Sequence, residues 1–362
     1  MTARLTAVVV GAGAGGTLSI DALIDSDRFD LVGVADQSAP SRDRVAARTG
    51  VPVYDSLERM LAERPAEIVC ISTWAPTHLP LTRLAAATPG VRGLLVEKPL
   101  GDTTAAGREI LDLLRARDLP VVVPHGLMAT AAALEIIARV HAGTIGGLRL
   151  VELESPRWDI INAGIHWLQF FDALVRSPVD TVLAATDTTT RTYRDGMQVE
   201  TEAITLARTA SGVRLLLNSG DDIPVPPDDA GTVCLMRIIG SHGIIEYRAF
   251  ENAFVLMASG YDRAVVTVPP FAVSGHRRHL EHLADQVESG ERDDANPESS
   301  LRALGIVEAA YLSARTGASV RPGAAPDQRD ADRGVAEPWD PGAPYWGTGG
   351  GRNGRELDGP SS

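Results

Sequence analysis

Lysine is almost absent from this chain of 362 residues, which contains only Lys98. This lysine follows the apolar segment Leu94–Val96 and stands between Glu97 and Pro99. Arginine cannot replace a primary amine that must give up a proton or act as a compact point charge, because guanidinium stays protonated and spreads its donors. Ligands of open α/β sheets bind where the strands end. We therefore predict that Lys98 is a functional residue rather than an ordinary surface lysine.

Cysteine is also scarce, with only Cys70 and Cys234 in the sequence. Two cysteines do not form a disulfide framework, and their surroundings do not suggest a zinc site. Cys70 lies within the apolar run Ile68–Ile71, which predicts a small buried hydrophobic side chain.

Blocks of basic residues and long apolar runs are missing as well. The formal net charge is −13, and no cluster of Lys or Arg interrupts this acidity. Nucleic acid and anionic membrane surfaces are therefore not expected as partners. No run of about 18 apolar residues and no cleavable leader pattern occurs. These absences predict a soluble, cytoplasmic protein.

What the sequence does contain is an alternation of apolar strands and amphipathic helices over residues 1–125. Continuous apolar runs are typical of strands that are buried on both faces. Strands separated by helices of this length predict right-handed βαβ units and a parallel Rossmann sheet. The predicted strands are Leu5–Val10, Leu31–Ala35, Val51–Tyr54, Ile68–Ser72, Gly93–Val96 and Pro120–Val123.

The pattern changes after residue 125. A helix near Ala163–Leu174 is followed by alternating segments up to Arg248, and helices return over Arg277–Val287 and Ser299–Ala314. This order predicts, for residues 126–321, an α+β domain with a largely antiparallel sheet and one open face. Residues 322–362 are rich in Gly, Pro and Asp, which predicts a disordered tail.

A glycine-rich turn, Gly11–Gly16, directly follows the first strand and fits G-x-G-x-x-G. Gly11 would permit the tight turn, Gly13 the approach of a pyrophosphate, and Gly16 close packing of helix and strand. The helix that begins here, at about Ala14, offers N–H groups and a partial positive charge to the phosphates. The turn therefore predicts a dinucleotide-binding domain.

Asp36 ends the second predicted strand, twenty residues after Gly16. A carboxylate at this point accepts hydrogen bonds from both ribose hydroxyls and repels a 2′-phosphate. We therefore expect NAD as the cofactor, with NADP as the alternative because Arg42 stands nearby.

Taken together, the glycine turn, Asp36, Glu97-Lys98-Pro99 and Gly164-Ile165-His166 give a chain that resembles the Gfo/Idh/MocA family of NAD(P)-dependent oxidoreductases. The resemblance covers residues 5–321 and includes Ser72–His78, which is similar to the family's nicotinamide-side loop. It implies hydride transfer between nicotinamide and a secondary alcohol or ketone of a sugar, cyclitol or related polyol. It also implies an open sheet face that mediates oligomers, here a homodimer or homotetramer.

The resemblance further implies which residues form the site. Lys98 would stabilise charge on the substrate oxygen, Glu97 would hold its amine, and His166 would exchange the hydroxyl proton. Further cofactor contacts are implied for Gln37, Ser72, Thr73, Pro76 and His78, in addition to Gly11, Gly13, Ala14, Gly16, Asp36, Glu97 and Lys98. The expected substrate contacts are Lys98, His125, Trp158, Asn162 and His166.

One position departs from the family pattern. Asn162 stands where members usually carry an aspartate, four residues before His166. Asparagine orients an imidazole but brings no charge to stabilise imidazolium. Asp159 would compensate if the helix began early. Because the proton relay is altered in this way, Lys98 itself is a candidate proton donor.

Two sets of histidines have alternative interpretations. His125 is expected either to face the ligand or to pack in the core. His276, His279 and His282 have a spacing that spreads them around a helix, so we predict no metal site and consider a substrate contact for one of them.

Two other functions remain open from the sequence. One is an enzyme that keeps NAD bound, oxidises a glycoside, eliminates a group and then reduces the product. The other is a ligand-sensing protein that has retained the fold without turnover; Asn162 favours it and the retained Lys98 and His166 oppose it.

Overall fold

The computed structural model describes residues 4–187, 192–194, 197–221, 223 and 233–323. Its contacts divide the chain into two units. The first comprises the residues up to Gly126 together with Val273–Leu301, and the second comprises Leu127–Ala272 and the residues from Arg302 onward. The predicted division differs in one respect, because it assigned residues 273–301 to the second domain. The predicted tail lies, from residue 324 onward, outside the described residues.

The helices and strands are numbered in chain order. The helices are α1 Ala14–Ile24, α2 Ala39–Thr49, α3 Leu57–Glu63, α4 His78–Ala87, α5 Thr104–Ala116, α6 Ala131–His141, α7 Ile165–Val175, α8 Gly275–Ser289 and α9 Ala295–Thr316. The strands of the first unit are β1 Leu5–Val10, β2 Phe29–Ala35, β3 Val53–Tyr54, β4 Ile68–Ile71, β5 Gly93–Val96 and β6 Val121–Val122. Those of the second are β7 Leu148–Pro156, β8 Val179–Asp187, β9 Thr192–Arg194, β10 Met197–Val199, β11 Glu202–Thr209, β12 Arg214–Gly220, β13 Leu235–Gly240, β14 Gly243–Arg248, β15 Ala253–Ala258 and β16 Tyr261–Thr267.

The first unit is built on a six-stranded parallel sheet with the order β3-β2-β1-β4-β5-β6. The strand order reverses between β1 and β4, and such a switch point is where dinucleotides bind in this class of fold. The predicted Rossmann sheet is therefore confirmed. The glycine turn follows β1, and Glu97-Lys98-Pro99 follows β5, so both lie at the carboxyl ends of the strands.

The buried side chains of this sheet alternate between two apolar clusters, one on each face. Val8 and Val69 belong to one cluster, and Val9 and Cys70 belong to the other. Four residues of α8 at helical spacing complete the second cluster: Leu280, Leu283, Ala284 and Val287. This burial is the physical reason why residues 273–301 group with the first unit.

The second unit contains an eight-stranded sheet with the order β16-β15-β14-β13-β7-β12-β11-β8. Only the pair β7–β12 is parallel among its paired strands, which confirms the predicted largely antiparallel sheet. The sequence reading missed β15 and β16, and also the separate pair formed by β9 and β10. Along β11 the buried Ala203 and Ala207 alternate with Ile204 and Leu206, which are 52% and 46% exposed. One face of the sheet is thus partly apolar and open.

Within the described ranges, no helix has both the length and the apolar character needed to cross a membrane.

Candidate active site

The turn between β1 and α1 has the geometry that a dinucleotide needs. Gly11 has a φ of +92°, and a Cβ there would lie 2.4 Å from the Ser72 carbonyl oxygen. A Cβ on Gly16 would lie 1.8 Å from the Gly11 carbonyl oxygen, so both positions require glycine. Among the described residues, none comes within 4 Å of a Cβ built on Gly13, which precedes α1 without a side-chain cap. This open space and the N–H groups of the first turn, from Ala14 onward, fit a pyrophosphate.

The carboxylate of Asp36 is fixed next to this turn. Its Oδ2 accepts a hydrogen bond from the Ala12 N–H at 2.6 Å, and its Oδ1 accepts one from the Ser38 N–H at 2.7 Å. The Arg42 guanidinium donates to the carbonyl oxygens of Asp36 and Gln37, at 2.7 and 2.9 Å. A carboxylate held in this way is suited to bind a ribose, as the motif predicts.

The loop after β4 contains Ser72, Thr73, Pro76 and His78. Ser72 is buried, and its Oγ lies 3.1 Å from the Ser19 Oγ. The buried ring of His78 lies between two carbonyl oxygens, with Nε2 3.0 Å from that of Thr73 and Nδ1 3.0 Å from that of Pro99. Burial lowers the pKa of His78. These contacts favour a role for His78 in joining this loop to Lys98-Pro99 over the predicted direct contact with the cofactor.

The side chain of Glu97 lies at the centre of the hydrogen bonds around Lys98. Its Oε2 accepts from the Lys98 backbone N–H at 3.2 Å, and its Oε1 lies 2.8 Å from His276 Nε2. A Cβ built on Gly15 would lie 3.0 Å from the same Oε1, so the carboxylate touches the glycine turn. Burial raises the pKa of Glu97, but the hydrogen bond and charge of His276 and the charge of Lys98 outweigh it and lower the pKa. The peptide bond between Lys98 and Pro99 is cis.

The three histidines of α8 have three different neighbours. These are Glu97 Oε1 for His276 at 2.8 Å, the His125 carbonyl oxygen for His279 at 3.3 Å, and Asp293 Oδ2 for His282 at 3.1 Å. In the part of the chain that the structure describes, no three His, Cys, Asp or Glu side chains converge in a way that could hold a metal ion.

His125 is fully buried in the first unit, and its Nε2 lies 2.8 Å from the Ser300 Oγ. Burial lowers the pKa of His125 well below its usual value, and the charges of His279 and Lys98 act in the same direction. The ring is therefore neutral near pH 7. These observations favour the packing role over the predicted substrate contact.

In the second unit, a π-helical turn over Ile160–Gly164 leads directly into α7. Asp159 precedes this turn, and its Oδ1 accepts from the Asn162 backbone N–H at 2.7 Å. The Asn162 Nδ2 donates to both oxygens of the same carboxylate, at 3.1 and 3.2 Å. Asp159 and Asn162 are both 2% exposed. The helical segment thus begins early, and this geometry favours the alternative in which Asp159 compensates for the amide at position 162.

His166 is the second residue of α7 and is half-buried. Its ring lies 6.0 Å from that of Trp167, centroid to centroid, in a tilted arrangement. Trp158, predicted as a substrate contact, is half-buried and immediately precedes Asp159.

Sequence reasoning missed two buried residues of this region, Glu200 and Tyr311. Glu200 Oε1 accepts from the Ile160 N–H at 2.7 Å, and Oε2 accepts from the Tyr311 hydroxyl at 2.7 Å. Burial and the nearby charge of Asp159 raise the pKa of Glu200 to about 8. Neither residue carried a signal, since Glu200 precedes an alternating strand and Tyr311 lies on the apolar face of a predicted helix.

Comparisons with known proteins agree with this geometry. Residues 5–125 match the GFO_IDH_MocA model, an oxidoreductase family with an NAD-binding Rossmann fold. The chain is 26% identical over 260 residues to the rhizopine catabolism protein MocA of Rhizobium meliloti, a match that covers 67% of this chain and 78% of that protein. It is 25% identical over 338 residues to D-xylose 1-dehydrogenase (NADP(+)) 2 of Haloferax volcanii, covering 86% and 98% of the two chains.

The fold is also similar to a crystal structure of an oxidoreductase from Agrobacterium radiobacter in complex with NAD+, L-tartaric acid and magnesium. The TM-score is 0.77 at 18% identity, and the match covers 89% of this chain and 99% of that one. The family resemblance predicted from the sequence is confirmed. Residues 5–125 form an NAD-binding Rossmann domain of the Gfo/Idh/MocA oxidoreductase type, and relatives at 25–26% identity extend this resemblance over up to 86% of the chain.

Proposed function

We propose that this protein transfers hydride between a nicotinamide cofactor and a secondary alcohol or ketone of a sugar, cyclitol or related polyol. The observation that carries the proposal is the position of Lys98, the only lysine of the chain. Its segment is fixed by the bonds of Glu97 and Pro99 to His276 and His78, and the Glu97 carboxylate touches the glycine turn. When bound, the nicotinamide supplies or accepts the hydride.

Lys98 contributes electrostatic stabilisation. Oxidation of a carbinol leaves negative charge on oxygen as the hydride departs, and reduction creates the same charge on the former carbonyl. An ammonium group next to that oxygen lowers the energy of the transition state. It also has a proton to give, which a guanidinium does not release.

We assign His166 and Asn162 to the exchange of the substrate hydroxyl proton, with Asp159 as the carboxylate that holds Asn162. An imidazole changes charge near neutral pH, which suits this exchange. The contacts of Asn162 with Asp159 support the assignment, since a buried carboxylate lies within hydrogen-bond distance of the side chain at the position where the family resemblance implies an acid.

Two features support the choice of cofactor and substrate. The fixed carboxylate of Asp36 favours NAD, with NADP as the alternative. The similarity to a D-xylose dehydrogenase supports a sugar or polyol as the small-molecule substrate.

We further propose that the open face of the second sheet, with Leu183, Ile204 and Leu206, mediates a homodimer or homotetramer. The cytoplasmic location that the sequence predicts stays a prediction.

The test is a spectroscopic assay of the full chain. NAD+ or NADP+ with a panel of polyols, and the reduced cofactors with keto-sugars, should give a change in reduced-nicotinamide absorbance for at least one pair. Lys98→Met should lower kcat by about a thousandfold while leaving NADH binding largely intact. Lys98→Arg is the matched variant, because it retains the charge but not a releasable proton.

Wild-type turnover in Lys98→Met would contradict the assignment of Lys98. Product formation without net change in reduced nicotinamide would indicate the cofactor-recycling enzyme instead. Tight ligand binding without any hydride exchange would indicate a ligand sensor.

A further inference from the structure

The pairing of His276 with Glu97 joins two parts of the first unit that are 179 residues apart in sequence. His276 is the second residue of α8, and 9% of it is exposed. Glu97 is 7% exposed and follows β5. A buried carboxylate is stabilised only when it is paired or hydrogen-bonded, and an imidazolium provides both. The contact with His276 therefore determines how much of the Glu97 negative charge is compensated in this buried region.

That charge lies next to the predicted pyrophosphate site. The Glu97 Oε1 that binds His276 is the atom that a Cβ on Gly15 would approach at 3.0 Å. Gly15 is the second residue of α1, in the helical turn whose N–H groups bind phosphates. An uncompensated carboxylate here would repel a dinucleotide and compete with it for the positive end of the helix.

We propose that His276 is a positioning residue of the cofactor site, whose imidazolium holds and neutralises the Glu97 carboxylate beside Gly15 and so favours binding of the dinucleotide pyrophosphate. The inference rests on the proposed function for the use of NAD(H), but not for the reaction or the substrate. It assigns to His276 a role that the spacing of the three α8 histidines does not reveal.

Several other ionisable groups surround this pair. The charge of Lys98 lowers the pKa of Glu97, and the charge of Glu97 in turn acts on His78, whose pKa burial lowers. Burial together with the Glu97 charge raises the pKa of the Cys70 thiol far above neutrality. On the helix itself, burial lowers the pKa of His279 to about 4, so this ring is neutral when a dinucleotide binds. His282, the third histidine, is paired with Asp293. His276 is the imidazole in direct contact with the carboxylate.

Protonation and cofactor binding must then favour each other. If imidazolium at position 276 strengthens NAD binding, bound NAD must raise the proton affinity of His276 by the same factor. The affinity for NAD+ should therefore fall about tenfold between about pH 6 and 8, and binding near pH 7 should take up protons from the buffer.

The experiment is isothermal titration of the full chain with NAD+ and NADH across this pH range, in two buffers of different protonation enthalpy. His276→Gln keeps a donor to Glu97 but cannot titrate, so its affinity should be nearly independent of pH and its proton uptake should vanish. His282→Gln, on the same helix and half-exposed, is the matched control and should behave as wild type. Melting temperatures of both variants verify that the fold is intact.

A His276→Gln variant that retained the wild-type pH slope and proton uptake would overturn the proposal, as would a wild type that shows neither. A wild type that binds no dinucleotide at any pH would contradict the proposed function instead. In steady-state assays the His276→Gln effect should fall on the KM for NAD+ with little change in kcat, whereas general loss of structure would lower kcat as well.

Discussion

Each unit of this protein buries a glutamate, and the surroundings of the two shift their pKa values in opposite directions. Glu97 in the first unit contacts an imidazole and lies near an ammonium group, and its pKa is lowered although the residue is buried. Glu200 in the second unit lies near the carboxylate of Asp159, and its pKa is raised to about 8. Burial alone acts in the same direction on both, so the neighbours decide the outcome.

The difference separates two uses of a buried acid. An ionised carboxylate accepts hydrogen bonds and fixes the groups around it, as Glu97 does for the Lys98 backbone N–H. A carboxylic acid that stays neutral retains a proton and avoids repulsion with a second carboxylate. In the first unit Glu97 thus fixes its neighbours as an ionised carboxylate, whereas in the second unit the raised pKa of Glu200 favours a neutral acid that keeps its proton.

The strongest test of this comparison is the same substitution at both positions. Glu97→Gln leaves His276 and Lys98 without the buried charge that they face, and we expect it to lower the free energy of unfolding by about 3 kcal/mol near pH 7. Glu200→Gln replaces a neutral acid by a neutral amide and should change the free energy of unfolding by less than about 1 kcal/mol at pH 6. Denaturant unfolding measures both, and equal losses would contradict the assigned charge states.

The next effect is the pH dependence of stability. An acid whose pKa is raised on folding binds its proton more tightly in the folded state, so stability declines as pH rises from the unfolded pKa, about 4.3, toward the folded value of about 8. We expect wild type to lose on the order of 3.5 kcal/mol more than Glu200→Gln between about pH 5 and 8. Parallel stability curves for the two proteins would show that Glu200 is ionised throughout.

The two regions also differ in how far the sequence predicted them. In the first unit the glycine turn, Asp36 and Lys98 each sit at the end of a strand, so local pattern and strand topology identified them together. The role of His276 was missed because its partner is 179 residues away and only packing of α8 on the sheet brings them together.

In the second unit, the buried Glu200 makes its contacts with residues that are far away in the sequence. Glu200 meets the hydroxyl of Tyr311 across 111 residues, and no periodicity or motif encodes such a pair. Asp159 was considered because it precedes the predicted helix, but the π-helical turn that brings it to Asn162 cannot be read from apolar spacing.

The smallest expected effect concerns Asp159, which raises the pKa of Glu200. Asp159→Asn removes the like charge, so the pKa of Glu200 should move toward that of an ordinary glutamate. The ionisation of Glu200 should then destabilise the folded protein less as the pH rises. The amide keeps an oxygen for the Asn162 backbone N–H but replaces one of the two oxygens that accept from Asn162 Nδ2 by a donor, which costs about 1 kcal/mol. Chemical denaturation of Asp159→Asn across the pH range should therefore show a slightly less stable protein at pH 6 with a flatter decline toward pH 8.

The double variant Asp159→Asn with Asn162→Asp separates charge from position, because it moves the carboxylate to the position where the resemblance to the Gfo/Idh/MocA family implies an aspartate. If the charge near His166 is what matters for catalysis, activity lost in Asp159→Asn should largely return in the double variant. Failure to recover, with an intact melting temperature, would mean that Asp159 acts through its contact with Asn162 and not through its charge, and the functional parallel with the family's aspartate would be lost.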